Sequence, residues 1–376
     1  MEVVGRLPEG PQYTRDPAPR DNRAGAVTVF APDRDQPDAA TLDAACAAVA
    51  AAAPQSRADG PWRSGALAAL ARAGLLAGFV PVADGGTGAT EAAITAALVA
   101  IAERCLTTAL AITQWASAVR IIAGGPAPLR AAVLPSLVRG ETFTTVGISQ
   151  LTTSRQHTAP AVVASRAADG WRLDGLCPWV TGADSVDTIV TGGVTADGRQ
   201  SFFLVPARAV GVTIDPPLEM LALSGSRTSV VRFTAAPVAA AITPPAGGPR
   251  TGGVATTALA LGAMRAAVSL LAAEAADRPF LGPVAAGLAA EADALGSRLA
   301  AAASGGIDAA DRDRMRADAN GLVVRAAQAA LAAAKGAGFV RGHPAERLVR
   351  EAHFFLVWSC PQAVTSTVLC ELAGLG

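Results

Sequence analysis

The sequence predicts an α+β chain in which a stretch of short strands separates two helical regions. Three observations carry this reading. Between residues 147 and 205, runs of β-formers are joined by tight polar turns. On either side, Ala- and Leu-rich segments punctuated by Gly and Pro have the lengths and end signals of helices. A Pro/Gly/Ala-rich stretch from Pro237 to Gly253 then marks a boundary between the strands and the last helices.

The first helical region begins near Asp38, with helices expected over Leu42 to Ala52 and Gly65 to Ala73, the second stopped by Gly74. Phe79 to Pro81 reads as a short extended segment. The glycines at 85, 86 and 88 make a loop, and Thr87 or Thr90 can cap a helix running to Glu103. A GGxG loop before a helix suits phosphate, but here it lacks the strand context of a dinucleotide fingerprint. Thr107 to Ala123 and Pro128 to Leu137 complete this region.

In the middle region, Ala161 to Ser165 and Trp171 to Leu173 form a hairpin across Asp169-Gly170. Ile189 to Gly193 and Ser201 to Val205 follow across Ala196-Asp197-Gly198, giving one antiparallel meander. The last region reads as a four-helix bundle over Val254 to Ala276, Pro283 to Ala303, Ala309 to Ala334 and Pro344 to Val357. Asp308 caps the third helix, and Pro344 sits in a first turn, where proline is tolerated. The expected organisation is thus a draped N-terminus over 1–37, a helical domain over 38–143, a β-domain over 144–240 and the bundle over 250–376.

Charge and composition exclude several classes. Lys plus Arg and Asp plus Glu both number 31, so there is no basic field for nucleic acid and no polybasic membrane patch. No run of about eighteen apolar residues is free of charge, Gly or Pro, so no membrane partner is expected. Five scattered cysteines and three histidines lack the spacing of a disulfide framework or a metal site. The cysteines read instead as buried hydrophobes in a reducing cytoplasm.

The most informative motif is WVTGAD, Trp179 to Asp184. On a strand, Trp179 and Thr181 point to the same face, so an aromatic plane and a hydroxyl address one ligand together. Alone, WxT also fits a core tryptophan and a strand hydroxyl. However, GISQ (147–150), DGWRLDG, WVTGADSVD, FFLVPARAVGV and LSGSRTSVVRF together resemble, in order and spacing, the middle domain of acyl-CoA dehydrogenases, whose motifs read roughly ALTEP, WITNA and GxRxS. The segment VPVADGGTG resembles that family's acyl-pocket loop. The resemblance spans about residues 38 to 376 and implies helical, β and bundle domains in that order.

It also implies FAD as cofactor, with the flavin ring against Trp179 and its edge held by Thr181, Ser149 and the backbone of Ile148. The run Asp277 to Gly282 resembles an RxxFG motif one residue shorter, which implies Arg278 and Phe280 at a neighbouring subunit's cofactor. Lys335 to Phe339 resembles a GGxGF loop, with Gly336 and Gly338 near the adenine half. Departures accompany these matches: the family's acid after its Thr is Gln150, its Ser-Asp pair is Arg155-Gln156, and the Gln before its glycine loop falls on an Ala. Arg155 either holds the pyrophosphate as a cation or fills its pocket.

Catalysis departs further. The family's catalytic Glu, in a YEGT-like turn, falls on Ser359, and a serine cannot serve as that base. His353 is the substitute candidate, although a helix leading into Phe354, Phe355 and Trp358 equally suits a structural histidine. Cys360 is a candidate nucleophile. Three functions follow: a flavin-dependent oxidoreductase acting on an acyl thioester or carrier-tethered acyl group with a non-standard base, a non-catalytic partner subunit of a heteromeric dehydrogenase, and a flavin monooxygenase-like protein. A dimer or tetramer is expected, since the resemblance places cofactor contacts across subunits.

Overall fold

A computed structural model describes residues 39–52, 64–152, 161–244, 253–305 and 307–374. The expectations for 1–37 and for Arg155 and Gln156 lie outside them. The first region carries α1 (Ala39–Ala52), α2 (Ser64–Arg72), α3 (Glu91–Arg104), α4 (Leu106–Ala123) and α5 (Ala127–Val138). Gly74, at φ 75°, takes the left-handed conformation just past α2. The cap of α3 is Thr90, not Thr87: its hydroxyl accepts the Ala93 N–H at 3.2 Å. The glycine loop is folded tightly on itself. A Cβ on Gly86 would lie 1.9 Å from the Val80 carbonyl oxygen, so this glycine is required for closure of the loop.

The middle region holds β1 (Thr144–Gly147), the short α6 (Ser149–Thr152), β2 (Val162–Ala167), β3 (Gly170–Val180), β4 (Thr188–Thr195), β5 (Gln200–Pro206), β6 (Val212–Ile214), β7 (Ser229–Pro237) and β8 (Ala240–Ile242). Both expected hairpins form, β2 with β3 and β4 with β5. They do not make a simple meander. The strand order is β6-β7-β3-β2-β4-β5-β8, and one edge of β4 is shared by β1 and then β2, both parallel to it. The sheet is therefore mixed. The reason is that β3 runs eleven residues, so the chain must return through the turn after Val180 before β4 can start, and it re-enters beside β2 in the same direction.

Both faces of this sheet are covered. Along β5, Phe202 and Leu204 enter the large core shared with the helices. Their neighbours Phe203 and Val205 enter a second core with Leu173, Ile189, Val231 and Phe233. The period-2 alternation of a strand thus feeds two apolar layers rather than one layer and solvent.

The last region consists of α7 (Val254–Asp277), α8 (Gly282–Gly305), α9 (Ala309–Ala334), α10 (Pro344–Phe354) and α11 (Gln362–Leu372). Asp308 caps α9 by accepting the Asp311 N–H at 2.7 Å. The fourth expected helix ends earlier than Val357: after Phe354 the chain tightens into turns, Ser359 adopts φ 51°, and α11 follows. Helix α7 packs on α3, α8, α9 and α10. Both α4 and α7 are long and apolar enough to cross a membrane, but most of each is buried within the fold.

Where α6 meets the sheet, Gln150 ties three strands together. Its Nε2 donates to the Gly192 carbonyl at 2.9 Å and approaches Thr191 Oγ1 at 3.3 Å. Its Oε1 accepts from the Cys177 thiol at 3.0 Å. Burial pushes the Cys177 thiol up to about 12, against hydrogen bonds from Trp179, Ser149 and Thr191 that lower it, so it stays protonated and donates. An acid at this position would lose the donor once it ionised, and would keep one only by holding a proton. Gln150→Glu should therefore cost about 2–3 kcal/mol, from an unpaired buried carbonyl and a buried carboxyl. A buried carboxyl has its folded pKa raised above the unfolded value, so the folded state holds the extra proton and the variant's stability falls as pH rises. Urea unfolding of variant and wild type should show a larger deficit at about pH 8 than at about pH 5; a deficit constant across that range removes this account of Gln150.

Candidate functional site

The end of β3 gathers four of the residues singled out from the sequence. Strand β1 runs into α6 alongside it: a Cβ on Gly147 would meet Val180 Cγ2 at 2.8 Å and Cys177 Sγ at 3.0 Å. Ile148 is half-buried against the large core, and Ser149 hydrogen-bonds toward Cys177. This places Ile148 and Ser149 beside the segment that carries Trp179 and Thr181.

Trp179 and Thr181 do not behave as neighbours on one strand face. Trp179 is 50% exposed, whereas Thr181 is 7% exposed. Pairing of β3 with β7 shifts register between Cys177 and Val180, and the strand ends at Val180. Thr181 accordingly enters a turn and faces inward, while Trp179 keeps an open face. The Thr181 hydroxyl lies 3.3 Å from that of Thr228, which lies 2.8 Å from that of Ser226. A buried chain of three hydroxyls thus begins two residues after the exposed tryptophan.

Two residues that sequence reasoning did not single out hold this arrangement. Asp184 accepts from Arg227, with Nε 2.9 Å from Oδ2 and a second contact from Nη2. The same turn is fixed by the Gly182 N–H donating to the Ser226 and Arg227 carbonyls at 2.9 and 3.2 Å. Hydrogen bonding to Asp184 raises the Arg227 guanidinium further above its ordinary value. Arg227 itself adopts φ 49°, a conformation that costs a non-glycine residue and persists only when its surroundings hold it. Both residues stood in quoted motifs, WVTGAD and SGSRTS. Their pairing across 43 positions is a tertiary fact that no local pattern signals.

The other candidates occupy separate turns. Arg278 ends α7 and pairs with Glu274 one turn back, so its charge is engaged within its own helix. Phe280, two residues on, is 72% exposed. Gly338, in the loop after α9, is needed for packing: a Cβ there would lie 2.7 Å from Ala334 Cβ. Gly336 opens onto free space and is exposed, as is Phe339 at 81%.

Ser359 follows α10 in a strained left-handed conformation, and His353 lies half-buried on that helix. His353 Nδ1 is 2.6 Å from the Val349 carbonyl. A carbonyl only accepts, so Nδ1 carries the proton, and a neutral ring leaves Nε2 as its basic nitrogen. Glu351, the buried carboxylate of α10, is paired with Arg347 at 3.0 Å and so is already committed.

A flavin needs a flat apolar wall for its ring and hydrogen-bonding groups along the ring edge. Half-exposed Trp179 would supply the first, and the chain at Ile148 and Ser149, beside the same strand, would have to supply the second. A diphosphate would need a free cation, and Arg278 is already paired.

No protein-family model matches the sequence, and no curated protein matches it. Solved structures do match. Butyryl-CoA dehydrogenase from Megasphaera elsdenii superposes with a TM-score of 0.76 at 16% identity, over 89% of this chain and 97% of that one. Glutaryl-coenzyme A dehydrogenase, solved with glutaryl-CoA, gives 0.77 at 18% identity, over 90% and 94%. Dibenzothiophene monooxygenase from Paenibacillus sp. A11-2 gives 0.72 at 18%, over 89% and 97%. Dehydrogenases and a monooxygenase therefore share this architecture, and the chain has the acyl-CoA dehydrogenase fold.

Proposed function

We propose that the protein is a flavin-dependent oxidoreductase acting on an acyl thioester or a carrier-tethered acyl group, with FAD as the form of flavin. The observation that carries this reading is Trp179, a large aromatic left half-exposed at a strand end, just before the turn that the Asp184–Arg227 pair holds. Burial normally claims a tryptophan on a sheet, and an open one before a held turn suits a stacking ligand. A bound flavin would supply the two-electron acceptor for a hydride leaving the substrate β-carbon. The chain's residues must hold that ring, seat the acyl group and take up the α-proton.

Proton removal is where this chain departs from the dehydrogenases. Ser359 offers no base at neutral pH, and Nε2 of His353 is the nearest basic group in sequence. The lack of a carboxylate at 359 favours a second reading, an oxygenating flavoprotein that needs no base there, and the structural likeness to a monooxygenase supports it. A third reading, a partner subunit without its own cofactor, is separated from both by whether the protein retains flavin. We further propose a homo-oligomer, because Phe280 and Phe339 are large, apolar and more than two-thirds exposed on turns at the ends of the bundle helices.

Three measurements test these readings. Purified protein should show a flavin absorbance band, and Trp179→Ala should weaken flavin binding about tenfold, equivalent to about 1.4 kcal/mol; unchanged occupancy removes the site. Under anaerobic conditions with acyl-CoA, Ser359→Glu should speed bleaching of that band by about a hundredfold over wild type. Fast bleaching by wild type that is lost in His353→Gln would move the base to His353, and no bleaching in either protein favours the oxygenating reading. Light scattering at micromolar concentration should give at least twice the chain mass, and a monomer would refute assembly.

A further inference from the structure

Outside the Trp179 region, one cluster carries groups that the proposed reaction does not use. It lies where α9 meets the turn between α10 and α11. Arg316 on α9 is 1% exposed, and no carboxylate among the described residues forms an ion pair with it. One of its nitrogens, Nη2, donates to the Trp358 carbonyl at 3.1 Å, and its guanidinium carbon lies 5.5 Å from the centre of the Phe355 ring. Its Nε and Nη1 have no hydrogen-bond acceptor. One turn along the same helix face, Asn320 is fully buried and its Oδ1 also lacks a partner. Burial pushes the Arg316 guanidinium down to about 10, opposed by the charge and hydrogen-bonding capacity of Cys360. A buried cation with two idle donors is costly, and structures rarely keep one without a use.

The group facing it is the Cys360 thiol. Asn320 Nδ2 lies 3.7 Å from Cys360 Sγ, and the thiol donates toward the Phe355 carbonyl at 3.2 Å. Cys360 is half-buried rather than sealed. We propose that Cys360 is an oxidation site at which a hydroperoxide converts the thiol to a sulfenic acid held by Arg316 and Asn320. The sulfur lone pair attacks the terminal peroxide oxygen and an S–O bond forms as the O–O bond breaks. The departing oxide takes the thiol proton, so Cys–SH and ROOH become Cys–SOH and ROH. Sulfur gives up two electrons and the peroxide gains them. The cation stabilises the negative charge that develops on the departing oxygen. In the product, the new oxygen gives Nε and Nη1 the acceptor they lack, and its proton has Asn320 Oδ1 to receive it.

The test uses full-length protein, hydrogen peroxide and the sulfenic-acid trap dimedone, with adducts mapped by mass spectrometry. Cys370 on α11 is exposed and serves as the internal reference. In folded wild type, Cys360 should carry about ten times the adduct of Cys370, and urea unfolding before treatment should erase that preference. Arg316→Met should lower the Cys360 adduct about tenfold without changing Cys370, and Arg316→Lys should keep part of it. Equal labelling of the two thiols in folded protein overturns the proposal. So does a preference that survives unfolding, which would come from local sequence. Undiminished Cys360 labelling in a folded Arg316→Met protein overturns it too. The wild-type comparison stands even if the arginine variant fails to fold.

Discussion

The close approach of α7 to α3 is the constraint on which the rest of the structure depends. At Gly262 a Cβ would lie 2.5 Å from the Val99 carbonyl oxygen and 2.6 Å from Ala102 Cβ. Only a glycine allows the two backbones to meet there, because any side chain would push the helices apart. Helix α7 is also the element that α8, α9 and α10 pack against. One contact of small residues therefore joins the N-terminal helices to the C-terminal ones. The high Ala content, which obscures helix faces in the sequence, has a use here: narrow helices pack at short range and leave few voids.

The sheet is held to this helical body through its own second face. Alternate residues of β5 belong to two different cores, so the sheet cannot slide relative to the helices without exposing one apolar layer or the other. That rigidity is what lets the end of β3 present a tryptophan outward. Energy that would come from burying Trp179 is forgone, and the turn behind it is held instead by the Asp184–Arg227 pair and by backbone hydrogen bonds from Gly182. The pair is partly shielded from solvent, where a two-point arginine–carboxylate contact is worth more than an isolated surface ion pair.

Gln150 and Arg316 illustrate how a substitution acquires meaning from its surroundings. Gln150 stands where the acyl-CoA dehydrogenase motif has an acid, and both ends of its amide are used, one by a backbone carbonyl and one by a thiol. An ionised acid could satisfy only one of those two demands. Arg316 is the opposite case, a buried side chain whose donors exceed its acceptors. It sits beneath the turn that carries Ser359 at a left-handed φ, and it clamps that turn through the Trp358 carbonyl. The missing carboxylate and the surplus cation thus meet at the same turn, although they come from positions 43 apart in the chain.

Much of this was legible in the residues themselves. Helix α9 has the expected bounds and α7 comes within a residue of them, because capping and Gly/Pro punctuation are local. Both hairpins follow from turn chemistry, and the ordered motifs pointed to the fold that the superpositions show. What the sequence could not supply was everything set by contacts between distant positions. The parallel placement of β2 beside β4 depends on where a long β3 turns back. The opposite fates of Trp179 and Thr181 depend on a register shift against β7, since strand periodicity alone puts them on one face. The Arg227 contact with Asp184 and the thiol beside Arg316 join residues more than 40 positions apart. Backbone propensity and periodicity act over a few residues and are written in the chain; pairing, desolvation and charge compensation exist only once the chain has packed, and so the tertiary structure alone decided them.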